Sequence, residues 1–318
     1  MKVLVTRKLQ EEVIAYLREH VEVDMWEHEE MVMPREELLA RVRDVDAVLS
    51  MLSERIDAEL FEAAPKLKVV ANMAVGYNNI DVEAARARGI VVTNTPDVLT
   101  ATTADLAFAL LLATARRVVE ASDYLRAGKW QSWYPTQLVG RDLGGATLGI
   151  FGMGRIGSAV AKRATGFDMQ IVYHNRSHNE EAEHLYGARY VSKEELLRTA
   201  DFIVILMPYS EETVGYIGEA ELALMKETAV LVNVARGGIV DEAALYEALV
   251  AGGIWAAGLD VFAVEPVDLQ HPLLRLPNVV ALPHIGSASV ETRLAMAKLA
   301  ADNVVAVLAG RDPITAVK

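Results

Sequence analysis

The sequence predicts an α/β protein built from two doubly wound parallel-sheet domains, one inserted into the other. Three observations predict it. Short β-branched runs alternate with amphipathic helical stretches along the 318 residues, as parallel strands joined by helical crossovers require. The alternation pauses at a long helical run and restarts at Thr147. A last helical stretch, 290–309, follows the final strand of the second series and can return the chain to the first domain.

The first series opens with Lys2-Val3-Leu4-Val5-Thr6 and continues with strands at 47–50, 68–71 and 90–93. Helices are expected between them at 11–19, 35–42, 58–63 and 82–88, where apolar residues recur at helical spacing. The run 100–125 carries the chain to the second domain. There the expected strands are 148–151, 170–173, 202–206, 229–233, 256–260 and 279–281. The helices are 155–165, 179–185, 193–198, 219–224 and 242–251. The expected domains are 1–99 with 288–318, and 100–287.

Composition narrows the partners. Forty-four acidic against 31 basic residues give a net charge of −13, which argues against nucleic acid, since phosphate binding needs clustered positive charge. The absence of cysteine excludes disulfides, thiolate metal sites and cysteine nucleophiles. The opening strand lacks the apolar stretch of a signal peptide. The most apolar helical stretch, 104–115, is too short to span a membrane and carries Asp105. A cytoplasmic protein without a membrane partner is expected.

Gly152-Met153-Gly154-Arg155-Ile156-Gly157 lies between the strand-like run 147–151 and the helical run from Ser158. Strand, glycine-rich turn and helix is the context in which this spacing binds a dinucleotide. The first glycine permits the tight turn, the second admits the pyrophosphate and the third lets helix and strand pack closely. Helix N-terminal amides then face the phosphates. The next strand ends in Asn175-Arg176-Ser177, with no carboxylate for the ribose hydroxyls. Arg176 can clamp a 2′-phosphate, with Asn175 and Ser177 donating hydrogen bonds, so NADPH is favoured over NADH. An ordinary solvated loop is the alternative.

Three later strand ends carry polar residues, where ligands meet open α/β sheets. Arg236 follows 230–232, Glu265 lies beyond the strand ending at Asp260, and His284 follows 279–281. An arginine fork suits a carboxylate and can polarise a neighbouring carbonyl. A histidine suits proton exchange with the carbonyl oxygen, and a glutamate bonded to it would orient it. Singly, each residue has a plainer reading: His284 capping a loop, Glu265 as surface charge, Arg236 paired with Asp241 or Asp260. Their joint placement downstream of the glycines favours reduction of a 2-keto acid.

The chain resembles the D-isomer-specific 2-hydroxyacid dehydrogenases, and within them the glyoxylate/hydroxypyruvate reductases, over essentially its whole length. The resemblance is carried by Val75-Gly76-Tyr77-Asn78-Asn79-Ile80-Asp81, Thr103-Ala104-Asp105-Leu106-Ala107 and the glycine fingerprint. It continues in Asn233-Val234-Ala235-Arg236-Gly237-Gly238, Gly258-Leu259-Asp260-Val261-Phe262 and Pro283-His284-Ile285-Gly286-Ser287. It implies a Rossmann-type cofactor domain inserted in a flavodoxin-like substrate domain. It implies Arg236 as the substrate-binding arginine, His284 as acid/base and Glu265 as its partner. It implies backbone amides of Val75 and Gly76 on the substrate carboxylate, with Leu52, beside Met51 and Met73, shaping the rest of the pocket. Asp260 would meet the nicotinamide carboxamide, with Thr103, Pro208, Val234 and Gly286 along the cofactor. For Thr103 a helix-start role, and for Asp260 a capping role, stand as alternatives. A homodimer is also implied, with Trp130-Gln131-Ser132-Trp133-Tyr134-Pro135 at the interface or reaching the partner's pocket.

One departure is visible. Many family members carry a histidine before Pro-Leu where this chain has Leu206-Met207-Pro208-Tyr209, so a cofactor contact by that histidine is absent. The remaining histidines, His20, His28, His174, His178, His184 and His271, show no metal-like pairing, and no metal is expected. His174 or His178 near the adenosine is a minor alternative to surface placement. Relatives acting on 2-ketogluconate or phosphite share much of the pattern, and a corepressor-like, cofactor-sensing binding module is the reading from a different class.

Overall fold

The computed structural model describes residues 1–317. The chain divides into two compact units, one formed by Met1–Leu99 with the segment from Ala288, the other by Thr100–Ser287. Both are fully parallel α/β sheets.

In the first unit the strands are β1 (Lys2–Val5), β2 (Glu22–Met25), β3 (Ala47–Ser50), β4 (Val69–Asn72) and β5 (Val91–Thr93). They lie in the order β2-β1-β3-β4-β5, all parallel, which is the flavodoxin-like order. Their crossovers are α1 (Glu11–Arg18), α2 (Arg35–Arg41), α3 (Ala58–Ala63) and α4 (Val82–Ala87). Leu4, Val48, Val70 and Val92 point to one face, where Leu38, Leu60, Phe61 and Ala85 cover them. Asp57 and Asp81 cap α3 and α4, accepting from the amides of Leu60 and Ala84, which satisfies donors the helices cannot. β2 was not expected. Its Glu-Val-Asp-Met sequence has one β-branched residue and is half-exposed; pairing with β1 as an edge strand, not propensity, makes it a strand.

The run 100–125 is two helices, not one. α5 (Thr100–Ala115) ends and α6 (Val118–Arg126) begins across Arg117, whose φ of 54° is left-handed. Arg117 pairs with Glu120 at 2.7 Å. The following strands are β6 (Thr147–Phe151), β7 (Gln170–His174), β8 (Arg189–Tyr190), β9 (Phe202–Ile205), β10 (Val230–Asn233), β11 (Ala256–Leu259) and β12 (Val279–Ala281). Their order, β12-β11-β10-β9-β6-β7-β8, is Rossmann-type with one added edge strand, the reversal falling between β6 and β9. β8 was also missed, being two residues long. The helices are α7 (Arg155–Thr165), α8 (Glu180–Tyr186), α9 (Lys193–Thr199), α10 (Glu219–Leu222) and α11 (Glu242–Val250).

Period-two alternation sends Ile150, Val204, Val230 and Val232 to one face with Leu110, Leu111 and Val160. It sends Phe151, Ile203, Leu231 and Leu259 to the other with Leu196 and Leu245. Each fully buried side chain of this size contributes about 1.5–3 kcal/mol. α12 (Val290–Leu308), capped by Ser289, belongs to the first unit and packs on β3 and β4.

Candidate active site

The glycine turn stands at the reversal point of the larger sheet. Gly152 has φ of 101°, and a β-carbon there would lie 2.5 Å from the amide nitrogen of Met207, just beyond β9. Only glycine fits both constraints. A β-carbon on Gly157 would lie 2.3 Å from the Gly152 carbonyl oxygen, so the third glycine brings α7 against the turn. Gly154 differs: a β-carbon there meets nothing within 4 Å. It is the N-cap of α7 and supplies no side-chain cap. α8, α9 and α11 are capped by Asn179, Ser192 and Asp241. An uncapped helix N-terminus opening on free space suits a pyrophosphate, and the residues present therefore fit a dinucleotide.

Two residues expected at the cofactor, Met153 and Asn175, are bonded to each other. The Met153 side chain is buried in the sheet core, and its amide donates to Asn175 Oδ1 at 2.7 Å. Its carbonyl accepts from Asn175 Nδ2 at 3.3 Å and Asn179 Nδ2 at 2.9 Å. Asn175 thus ties the end of β7 to the glycine turn, a bond the sequence did not indicate. Arg176 and Ser177 are exposed on the same loop. Asn179, which no spacing rule singled out, caps α8 and grips the turn at once. His174 is held by the Val191 carbonyl at 2.8 Å, and His178 stacks on Tyr190 and bonds Glu183. Tyr173 beneath them is pushed up to about 12, by burial first and by Glu183 second.

The three strand ends converge through backbone bonds. Asn233 Nδ2 donates to the Arg236 carbonyl at 2.8 Å, and its Oδ1 accepts from the Ala235 amide at 3.0 Å. The Asp260 amide donates to the Asn233 carbonyl at 3.0 Å, and the His284 amide to the Asp260 carbonyl at 2.9 Å. Asp260 is 1% exposed, and its two oxygens accept from the amides of Ile285 and Gly286 at 2.7 and 2.8 Å. Burial raises its pKa, against these hydrogen bonds. This is the capping task named as an alternative, and it leaves one lone pair on each oxygen for another donor. Thr103 is in the first turn of α5 and packs by its methyl towards Gly286.

Glu265 Oε2 lies 2.7 Å from His284 Nδ1, while Oε1 accepts from the Phe262 amide at 3.0 Å. With a carboxylate on Nδ1, that nitrogen carries the proton and Nε2 is left for exchange. Burial raises the Glu265 carboxyl, but the bonds with His284 and Phe262 and the Arg236 charge outweigh it, holding it below the usual range. His284 has φ of 55°, a left-handed conformation that costs a non-glycine residue energy and often marks functional positions. Burial lowers the Arg236 guanidinium, countered by Glu265. Glu242 and His271 were also not anticipated. Glu242 accepts from the Ala263 amide at 2.6 Å and meets His271 Nε2 at 3.2 Å, steadying the segment that carries Glu265.

Residues 108–286 match the family described as D-isomer specific 2-hydroxyacid dehydrogenase, NAD binding domain. The chain belongs to this family. It is accordingly an NAD(P)-dependent oxidoreductase. It is 54% identical over 320 residues to a glyoxylate reductase of Thermococcus kodakarensis, covering 99% of this chain and 96% of that one. A glyoxylate reductase of Korarchaeum cryptofilum is 52% identical, with 98% and 94% covered. A solved structure from Thermus thermophilus matches the whole of both chains at a TM-score of 0.94 and 48% identity. The NADPH-dependent glyoxylate/hydroxypyruvate reductase of Sinorhizobium meliloti, solved with NADP and malonate, gives 0.87 at 39% identity, covering 99% and 96%.

The other residues expected of a 2-hydroxyacid dehydrogenase lie as follows. Val75 and Gly76 follow β4, and Leu52, 36% exposed, follows β3. Val234 is buried after β10, and Pro208 is exposed after β9. Trp130, Trp133 and Tyr134 are exposed, as are Val118, Val119 and Leu125 of α6. Among the described residues no cluster of metal-ligating side chains occurs, and no helix is long and apolar enough to cross a membrane.

Proposed function

We propose that this enzyme reduces glyoxylate and hydroxypyruvate to glycolate and D-glycerate with NADPH. The observation that carries it is the Glu265–His284 pair at 2.7 Å on the strand ends shared with Arg236. The names of the relatives supply the substrate class.

The Arg236 fork binds the keto-acid carboxylate and draws electron density from the adjacent carbonyl. In the first unit, the amides of Val75 and Gly76 are assigned as donors to a keto-acid carboxylate. His284 gives the proton on Nε2 to the carbonyl oxygen, and Glu265, ionised because its carboxyl is held low, balances the imidazolium before transfer. The bound nicotinamide supplies the hydride to the carbonyl carbon. The uncapped α7 holds the pyrophosphate, Arg155 and Ile156 contributing its first amides. Thr103, Pro208, Val234, Asp260 and Gly286 line the nicotinamide side, Asp260 through its remaining lone pairs. Arg176, with Ser177, takes the 2′-phosphate.

We also propose a homodimer. α6 has no buried residue, and its apolar side chains border a groove of about 850 Å³ between it and the β12 edge, lined by Val119, Tyr124, Trp255 and Leu276. The Trp130–Trp133 segment of a second copy supplies aromatic cover of the kind interfaces favour.

Steady-state turnover of glyoxylate, hydroxypyruvate and 2-ketogluconate with NADPH and with NADH tests the reading. NADPH oxidation with the first two acids, lost in His284→Ala, is expected. No turnover on any keto acid would overturn it in favour of a binding module. A kcat/KM no better with NADPH would remove the cofactor assignment alone.

A further inference from the structure

The first unit buries a polar network that its sheet does not need. Thr6, Ser50, Glu54 and Asn72 are each at most 2% exposed, at the carboxyl ends of β1, β3 and β4. Ser50 Oγ donates to Asn72 Oδ1 at 3.1 Å. Asn72 Nδ2 donates to the Gly76 carbonyl at 3.0 Å and to Asn79 Oδ1 at 3.3 Å. Asn79 Nδ2 donates in turn to the carbonyls of Met51 and Glu54, at 3.1 and 2.9 Å. The Glu54 carboxylate takes the Met51 amide at 2.7 Å, Thr6 Oγ1 at 3.0 Å, Ser53 Oγ at 2.9 Å and the Arg7 guanidinium at 3.0 Å.

The pattern of ends matters. Buried amides and carboxylates stabilise a fold less well than apolar side chains of the same shape, and they persist only when every partner is met. Here the partners are the backbones of two loops: 51–54, which carries Leu52, and 74–76, which carries the Val75 and Gly76 amides. Asn79 touches both, directly at Met51 and Glu54 and through Asn72 at Gly76. Arg7 Nε is buried without a partner, but the Asn72, Asn79 and Glu54 side chains are bonded as given, and such bonding holds them in one arrangement.

We infer that Asn79, backed by Asn72 and Glu54, is a positioning residue that fixes the distance between the carboxylate-binding amides and the Leu52 loop. It thereby sets which substituent on the keto acid is accepted. This rests on the proposed roles of Val75, Gly76 and Leu52. Loosening the link lets the loops move apart, and the larger substrate gains relative to the smaller.

The test uses Asn79→Ala, with Asn79→Ser alongside as a milder change should the first not fold. The ratio of kcat/KM for hydroxypyruvate to that for glyoxylate is expected to rise at least fivefold. The Kd for NADPH, set in the other unit, should stay within twofold. A ratio within twofold of wild type in a folded variant overturns the inference, because a merely structural loss lowers both activities alike. If wild type reduces neither acid, the functional reading fails and hydrogen exchange of the intact protein decides the link. Faster exchange in peptides covering both 51–54 and 74–76 supports it; faster exchange only around position 79 overturns it.

Discussion

Gly237 and Phe262 touch backbone to backbone: a β-carbon on Gly237 would lie 1.8 Å from the Phe262 carbonyl carbon and 2.1 Å from the Ala263 nitrogen. The contact locks the segment after Arg236 to the segment before Glu265. Gly237→Ala must push them apart, and displacements near 1 Å cost on the order of a hundredfold in rate. A kcat/KM for glyoxylate lowered about a hundredfold is expected. Activity near wild type would mean the clamp does not set the geometry of the site.

The Glu265–His284 pair makes a prediction about pH. Since the Glu265 carboxyl is held below its ordinary range, it remains charged through neutrality and supports the protonated imidazole. Glu265→Gln removes that charge. The alkaline limb of the kcat profile for reduction should move to lower pH, with kcat down by about 10²–10⁴. An unmoved limb would separate Glu265 from proton delivery.

Arg176 and Asn175 should fail differently. If Arg176 binds the 2′-phosphate as proposed, Arg176→Ala should raise KM for NADPH about tenfold or more while leaving NADH unaffected. Asn175→Ala frees the glycine turn at Met153, so KM should rise for both cofactors alike. Matching kinetics in the two variants would remove the distinction between recognising the phosphate and holding the turn.

Asp57 predicts an acid-sensitive increment of stability. Burial raises its carboxyl, but bonds from Arg35 and the Leu60 amide and the arginine charges hold it below its ordinary value. A depressed folded pKa gives stability that is complete above the unfolded value, near 3.9, and lost as pH falls through the folded value. Asp57→Asn should lower stability by roughly 1 kcal/mol at neutral pH. The deficit should shrink as pH falls below about 4, where the unfolded wild-type chain takes up a proton that the folded carboxyl, held low, still resists. Thermal unfolding at pH 7 and pH 3.5 checks this, and a deficit constant with pH would contradict it.

The strands that face a core were legible because their signal is local. Val230, Leu231 and Val232 alternate between two buried faces whatever lies beside them. β2 and β8 were not legible, since each exists by pairing with one neighbour. The break at Arg117 was hidden for a related reason: apolar and charged residues continue at helical spacing across it, and only a left-handed φ marks the turn.

By itself the sequence determined two parallel α/β series, the strand–glycine turn–helix around Gly152 and the placing of Arg236, Glu265 and His284 after strand ends. These follow from periodicity, glycine spacing and position at strand ends. Only the tertiary structure decided that Asn175 holds Met153, that Glu242 holds Ala263 and that Asn79 holds Glu54. Those partners are separated by 22, 21 and 25 residues. A polar side chain has the same donors and acceptors wherever it stands in the chain. Which backbone group it meets is set by how crossovers bring distant loops together, and no local pattern records that.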